Sequence, residues 1–60
     1  MMTQDNARQA CKLLGNNGWR ETEVVRYEHS WRVYATDKVS GYRIHFDDYD
    51  LVIDRVIDRA

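Results

Sequence analysis

An alternation of apolar and polar residues between Trp31 and Phe46 constrains the fold of this chain more than any other feature. Every second residue from Trp31 to Ala35 is apolar, which is the period of a strand with one buried face. The same period returns from Tyr42 to Phe46, after a polar segment that ends at Gly41. A turn closed by glycine joins two such strands into a β-hairpin with one continuous apolar face.

The predicted register of this hairpin keeps the apolar face continuous. It pairs Val33 with Ile44, because a shift by one residue would turn every apolar side chain to the opposite face. The apolar face then carries the pairs Ala35–Tyr42, Val33–Ile44 and Trp31–Phe46. The opposite face carries the pairs Tyr34–Arg43 and Arg32–His45.

Residues 19–28 predict a first strand that pairs with this hairpin, although their alternation is less regular. We predict a turn over residues 29–31, because a slip by one residue on each strand would set Arg26 against Arg32. Like charges directly opposite one another destabilise a sheet. The chosen register gives the pairs Val25–Ala35, Tyr27–Val33, Glu28–Arg32 and Arg26–Tyr34.

Both ends of the chain follow the helical period instead. In the first helix Thr3 or Asp5 is the predicted N-cap, and residues 15–18, Gly-Asn-Asn-Gly, end the helix. Its apolar stripe consists of Ala7, Ala10, Cys11 and Leu14, widened by Leu13. A second helix is predicted from Asp47 onward, with an apolar face made of Tyr49, Val52, Ile53, Val56 and Ile57.

The order of these elements predicts the fold class. It is α+β: a single small domain over residues 1–60, built as a helix, a three-stranded antiparallel sheet and a second helix. Both helices are expected on the apolar face of the sheet. The other sheet face is then open to solvent or to a partner.

Composition excludes several classes of function. The formal net charge is −1, so the whole protein has no general attraction to nucleic acid or to a membrane surface. Cys11 is the only cysteine, which favours a reducing compartment, and we predict a cytoplasmic protein. One cysteine and two histidines in three separate segments predict no metal site, and we expect no cofactor. No apolar run has membrane-spanning length, and residues 1–10 lack the pattern of a signal peptide.

The open sheet face is the first candidate binding surface. Basic groups around an aromatic ring suit a phosphate backbone with a stacked base. The candidate nucleic-acid-binding residues are Arg26, Arg32, Tyr34 and Arg43. The alternative interpretation is a solvated face whose charges pair with one another.

A second polar row on this face has an alternative, catalytic interpretation. Glu28, Arg32 and His45 supply a carboxylate, a guanidinium and an imidazole. These groups could serve as base, phosphate clamp and acid in RNA cleavage without a metal. A salt-bridged ladder explains the same residues without catalysis, and we therefore predict no catalytic residue.

The second helix offers a different candidate surface. Five Asp and two Arg give residues 47–60 a net charge of −3, against +2 for the rest of the chain. The aspartates that fall within about 80° of one another around the helix are called the acidic stripe: Asp47, Asp50, Asp54 and Asp58. With Leu51 exposed beside them, they are the candidate binding residues for a protein with a basic surface. The alternative is a solvated helix face.

The predicted topology resembles the double-stranded-RNA-binding fold and the small HicA-type toxins of toxin–antitoxin pairs. The segment Lys12-Leu13-Leu14-Gly15-Asn16-Asn17-Gly18-Trp19 is similar to the HicA junction of first helix and first strand. The resemblance implies that His29, at the end of the first strand, is the RNase residue and that a HicB-like antitoxin is the partner. The chain differs from that family in having Tyr27-Glu28 in place of Gly-Ser, and in its acidic final helix.

These patterns favour a small non-enzymatic interaction module that binds a macromolecular partner. A regulator or inhibitor of the kind that phages and plasmids encode would have this size and this division of surface charge. The predicted contacts are the acidic stripe, the basic and aromatic sheet face, or both. The alternative is a HicA-like protein that binds or cleaves RNA.

Overall fold

Two helices and three strands make up most of residues 1–57, the part of the chain that this computed structural model describes. They follow one another as α1 (Gln4–Asn16), β1 (Arg20–Tyr27), β2 (Ser30–Thr36), β3 (Arg43–Phe46) and α2 (Tyr49–Ile57). The strands form one antiparallel sheet in the order β1-β2-β3, so each strand pairs with its neighbour in sequence. The predicted α+β arrangement is confirmed.

The first helix begins and ends at the predicted signals. The Thr3 hydroxyl accepts a hydrogen bond from the Asn6 amide at 3.1 Å, so Thr3 rather than Asp5 is the N-cap. Gly18 has φ of +91°, in the left-handed region that glycine favours, and it directs the chain from α1 towards β1. The buried members of the apolar stripe are Ala7, Ala10 and Leu14.

The turn between β1 and β2 differs from the prediction. It has two residues, Glu28 and His29, between the paired residues Tyr27 and Ser30. Glu28 has φ of +56°, a conformation that glycine, Asn and Asp favour in tight hairpin turns. The predicted turn over residues 29–31 is therefore wrong. The sequence did not indicate the tighter turn, because neither Glu28 nor His29 is a glycine, Asn or Asp.

The tighter turn changes the face to which each β1 residue points. Val24 pairs with Val33 and packs against the core, whereas Val25 pairs with Arg32 on the opposite face. Tyr27 is exposed instead of buried. The predicted pairs Val25–Ala35, Tyr27–Val33, Glu28–Arg32 and Arg26–Tyr34 are therefore wrong.

The second hairpin has its predicted apolar face, but its register is shifted by two residues. Val33 pairs with Phe46, and Ala35 pairs with Ile44. A shift by two residues preserves which side chains are buried. It changes every cross-strand pair, so the predicted pairs Val33–Ile44, Ala35–Tyr42, Trp31–Phe46, Tyr34–Arg43 and Arg32–His45 are wrong.

A loop over residues 37–42, longer than the predicted turn, causes this shift. Asp37 organises the loop: its amide donates to the Tyr42 carbonyl at 2.8 Å, and its carboxylate accepts from the Val39 amide at 2.8 Å. Tyr42 consequently lies outside β3 and is 74% exposed. Its predicted place on the apolar face is wrong.

The core lies between the sheet and the two helices. Its buried apolar residues are Met2, Ala7, Ala10, Leu14, Trp19, Val33, Ala35, Phe46 and Val52. Met2, whose burial no pattern in the sequence indicates, forms an isolated bridge with Trp31. Ile57 is 70% exposed, so its predicted place on the apolar face of α2 is also wrong.

Both helices pack on the same side of the sheet, as predicted. α1 packs on β1, β2 and α2, and α2 packs on β3 as well as on α1. The sheet face opposite the helices, called the outer face below, therefore has no helix on it. Within residues 1–57, neither helix has the length and apolar character needed to cross a membrane.

Candidate functional site

Arg32 lies at the centre of the contacts on the outer face. Its guanidinium carbon lies 3.8 Å from the centroid of the Tyr27 ring. The guanidinium also donates hydrogen bonds to the Tyr34 hydroxyl at 3.3 Å and to the Asp47 carboxylate at 2.7 Å. These hydrogen bonds, first that to Tyr34 and then that to Asp47, raise the pKa of Arg32 above its already high ordinary value. The positive charge of Arg32 thus already interacts with groups of the same chain.

Arg43 is held in a similar way, with the help of a β-bulge. It donates to the Glu23 carboxylate at 3.0 Å and to the Glu21 carbonyl at 2.9 Å. The register of β1 shifts between Arg20 and Glu23, and Glu21 has φ of +52°. Bulges of this kind redirect side chains, and the Glu21 carboxylate lies 3.8 Å from the Arg43 guanidinium.

The ion pairs of the outer face involve two arginines and three carboxylates: Arg32 with Asp47, and Arg43 with Glu21 and Glu23. Exposed pairs of this kind contribute little to stability. They do oppose the attraction of a phosphate backbone, which depends on positive charge that the protein itself has not neutralised. The geometry matches the alternative interpretation of a face whose charges pair with one another.

The structure brings together three of the four candidate nucleic-acid-binding residues, Arg32, Tyr34 and Arg43. Arg26 lies elsewhere: it pairs with Trp31, and its guanidinium carbon is 5.5 Å from a Trp31 ring centroid. Tyr34 has Glu23 and His45 as its cross-strand neighbours. The predicted row through Arg26, Tyr34 and Arg43 does not form, because both registers differ from the predicted ones.

The alternative catalytic row of Glu28, Arg32 and His45 does not form either. Glu28 lies in the β1–β2 turn, and Arg32 pairs with Val25. His45 pairs with Tyr34, with their ring centroids 5.5 Å apart. The three groups therefore do not meet across the strands as an acid, a base and a clamp would need to.

His29, the residue that the HicA resemblance indicates, lines a cleft of about 380 Å³. Glu28 and Arg32 line the same cleft, so the structure does bring these three side chains to one surface. Within residues 1–57, the His29 ring has no hydrogen bond from another side chain that would orient it. A general base is usually oriented by such a partner.

Members of the acidic stripe have different surroundings. Asp47 is paired on the outer face, and Asp58 lies outside the described residues. Asp50 and Asp54 are exposed on α2, and neither has an ion-pair partner within residues 1–57. Leu51 is 52% exposed, as the helical geometry predicts.

A groove between β3 and α2, called the β3–α2 groove below, places Leu51 and Asp54 beside the sheet. Its volume is about 340 Å³. The lining residues are Ile44, His45, Phe46, Leu51, Asp54 and Arg55. Ile44, Phe46 and Leu51 make the groove apolar, and Asp54 adds a negative charge. An apolar surface next to a carboxylate that has no partner in this part of the chain is suited to a partner with apolar and basic groups.

An ion pair that sequence reasoning missed joins the loop over residues 37–42 to α2. The Arg55 guanidinium donates to the buried Asp37 carboxylate at 3.0 Å and lies 5.6 Å from the centroid of a Trp19 ring. The hydrogen bond from the Val39 amide, followed by the contact with Arg55, holds the pKa of Asp37 below its ordinary value. The position of Asp37 before a turn was a signal for the loop, but nothing in the sequence indicated its distant partner.

Asp37→Asn is expected to lower the unfolding temperature near neutral pH and to have a smaller effect in acid. The folded-state pKa of Asp37 lies below the unfolded value, which is about 4. The carboxylate therefore stabilises the fold above that pH, and its contribution is lost as the pH falls through the folded-state pKa. Thermal unfolding of both proteins between about pH 7 and pH 2.5 measures this. A difference in unfolding temperature that stays constant over this range would contradict the assignment.

Two further possibilities for chemistry concern metals and the thiol. Within the described residues, no three His, Cys, Asp or Glu side chains lie close enough together to hold a metal ion. Cys11 is partly buried, and burial raises the pKa of its thiol. A raised pKa lowers the thiolate fraction, so Cys11 is a poor nucleophile at neutral pH.

The order of a helix, three strands and a helix does not by itself indicate a function, so function has to be argued from particular surfaces. In comparisons with known proteins, no protein-family model, no curated protein and no solved structure matches this chain.

Proposed function

We propose that this chain is a small non-enzymatic interaction module that binds another protein through the β3–α2 groove. The observation that carries the proposal is the meeting of three features at one place. Leu51 exposes half of an apolar side chain, Asp54 has no ion-pair partner within residues 1–57, and Ile44 extends the apolar surface onto the sheet. Protein interfaces commonly have an apolar centre that becomes buried and a polar rim around it.

Charge supports a partner with a basic surface. Asp50 and Asp54 project from α2, and residues 47–60 as a whole carry a net charge of −3. A negative surface attracts a positive partner over several ångströms and so accelerates association, an effect that salt weakens. A regulator or inhibitor in the cytoplasm that covers the basic site of another protein fits this chemistry.

The ion pairs of the outer face favour a protein over a nucleic acid as the partner. Its two arginines, Arg32 and Arg43, are paired with carboxylates of the same chain. A phosphate backbone would have to displace those carboxylates. Binding to nucleic acid would then release fewer counterions and gain less free energy than binding by unpaired cations.

Leu51→Ser is expected to weaken capture of the partner by about tenfold or more, because it removes the apolar anchor. The tagged protein is used to capture partners from a lysate of its source cell, with and without nuclease. Val39→Ser is the matched control, since Val39 is also an exposed apolar residue, at 87%, but lies in the loop over residues 37–42. A second comparison uses Asp54→Asn, which should slow association and reduce its dependence on salt, against Asp5→Asn on α1.

Two outcomes would contradict the proposal. One is capture that Leu51→Ser and Val39→Ser reduce equally, since the groove would then have no special part in it. The other is capture that nuclease abolishes, which would favour a nucleic acid as the ligand.

A HicA-like RNA-binding or RNA-cleaving protein is the second candidate, and one observation favours it. His29 and Arg32 line the same cleft of about 380 Å³, so an imidazole and a guanidinium are available at one surface. This candidate predicts that expression without a partner stops growth and that His29→Ala or His45→Ala restores it. The interaction module predicts that growth does not depend on either histidine.

A further inference from the structure

β3 has a free edge, and its residues Ile44, His45 and Phe46 line the β3–α2 groove. β3 is an edge strand, because β2 pairs with it on one side and no strand of residues 1–57 pairs with it on the other. The hydrogen bond from the Asp37 amide to the Tyr42 carbonyl marks a hydrogen-bonded pair. Such pairs alternate along an antiparallel ladder, so Ile44 and Phe46 bond to β2. The backbone amides and carbonyls of Arg43 and His45 therefore point away from β2, at the free edge of β3.

The other edge of the sheet is less suited to pairing. β1 contains the bulge next to Glu21, and its residue pairing with β2 is interrupted there. Bulges protect edges, because they twist the strand away from a flat ladder. β3 pairs with β2 without interruption over its four residues, so it is the regular edge.

The side chains near the regular edge define what an added strand would meet. On the helix side of the sheet lie Ile44, Leu51 and Asp54. The Arg55 guanidinium lines the same groove, but it is paired with the Asp37 carboxylate at 3.0 Å. The Asp54 carboxylate is therefore the charged group of the groove that an added strand would meet. On the outer face the neighbours are Arg43, which pairs with Glu23, and His45.

We infer that the partner binds as an extended segment that adds a fourth strand to β3, with an apolar residue and a basic residue two positions apart facing α2. This inference rests on the proposed function and specifies the form of the partner. Side chains of a strand alternate between the two faces, so residues two apart share the helix side. The apolar residue contacts Leu51 and Ile44, and the basic residue pairs with Asp54. Polar residues occupy the outer face, and the backbone bonds to Arg43 and His45 as in other strand additions.

The test uses a synthetic probe, the capped octapeptide Thr-Val-Ser-Lys-Thr-Val-Ser-Lys, and the full chain labelled with nitrogen-15. We expect saturable binding and slower hydrogen exchange of the Arg43 and His45 amides by about tenfold or more at saturation. The Ile44 and Phe46 amides are the internal control, because they already bond to β2 and should be protected in both states. A second peptide with both lysines replaced by glutamate should bind about tenfold more weakly or worse.

Backbone methylation separates strand addition from other modes of docking. Two variants of the probe carry N-methyl groups on alternate residues, one set in each peptide. Only one set of amides faces β3, so one variant should lose about tenfold or more in affinity and the other should bind nearly as the parent does. Equal losses in the two variants would overturn the inference.

The outcomes also distinguish this inference from the proposed function. Binding that shifts the Leu51 and Asp54 signals without protecting Arg43 and His45 would overturn strand addition and support the groove as a site for another kind of segment. Failure of the parent peptide to bind at about 1 mM would also overturn strand addition by such a segment. The proposed function would still stand if Leu51→Ser, but not Val39→Ser, prevents capture of a protein.

Discussion

Replacing Leu14 with alanine is expected to lower the free energy of unfolding by about 2–5 kcal/mol. The Leu14 side chain is 0% exposed in the core between α1 and the sheet. The substitution removes apolar contacts and leaves a cavity that the surrounding backbone fills only in part. The backbone carbonyl of Leu14 accepts hydrogen bonds from the amides of Asn17 and Trp19, both at 3.0 Å, so the main chain near the cavity has little freedom to move.

The loss is large in relation to the whole. A chain of 60 residues has a stability of about 3–9 kcal/mol, so the variant should be partly or wholly unfolded at room temperature. Urea unfolding followed by circular dichroism measures the change. Leu13→Ala is the matched control, because the same side chain is removed from the adjacent, partly buried position of the same helix. Equal losses at the two positions would contradict the assigned burial.

Trp19→Ala is expected to cost about 3–5 kcal/mol, the second large effect. The Trp19 side chain is buried where α1 leads into β1, and its ring centroid lies 5.8 Å from that of Phe46 on β3. Arg55 of α2 lies over the same ring at 5.6 Å. From the junction of α1 and β1, the indole thus contacts both β3 and α2, and its removal should loosen the packing of these elements together.

Trp31→Ala is the control for this prediction. Trp31 has the same side chain but is only partly buried on β2, so its removal should cost clearly less. Trp19→Phe should retain more than half of the lost stability, because it preserves an aromatic ring beside Phe46. Thermal unfolding followed by circular dichroism is suitable, since it does not depend on indole fluorescence. A larger loss at Trp31 would contradict the proposed role of Trp19.

The sequence predicted the sheet faces of β2 and β3 correctly, and their register incorrectly, for related reasons. A period of two determines which side chains are buried, and Val33, Ala35 and Phe46 are buried as expected. The cross-strand pairing between β2 and β3 depends on the length of the loop that joins them. The Asp37 carboxylate stabilises a loop longer than the one that Gly41 indicated. A change of loop length by an even number leaves the buried set intact, so the apolar pattern could not detect it.

The first strand was less predictable because its pattern was ambiguous. Val24 and Val25 are adjacent, so either could face the core, and the predicted register depends on avoiding the repulsion between two arginines, Arg26 and Arg32. The observed register pairs Arg26 with Trp31, so it avoids this repulsion as well, and it follows from a two-residue turn in which Glu28 adopts a left-handed conformation that its side chain does not signal. Repulsion between arginines could exclude the slipped register, but it could not distinguish the predicted register from the observed one, since Arg26 is not opposite Arg32 in either.

The candidate site was predictable only in part. The exposure of Leu51 follows from helical geometry, since Val52 next to it is fully buried. The β3–α2 groove could not be derived, because it depends on how α2 packs on β3. The contact between Arg55 and Asp37 joins residues that are 18 positions apart, and no local pattern specifies it.

The sheet order β1-β2-β3 has a kinetic consequence. Each strand pairs with the next one along the chain, across a two-residue turn and then the loop over residues 37–42. Pairing between neighbours in sequence requires only short loops to close, so the sheet can form early, and folding should be complete on the order of milliseconds. The chain contains no proline, which removes slow isomerisation from the reaction. A protein with a small margin of stability opens often, and rapid closing limits the time for which its strand edges are available to other unfolded chains.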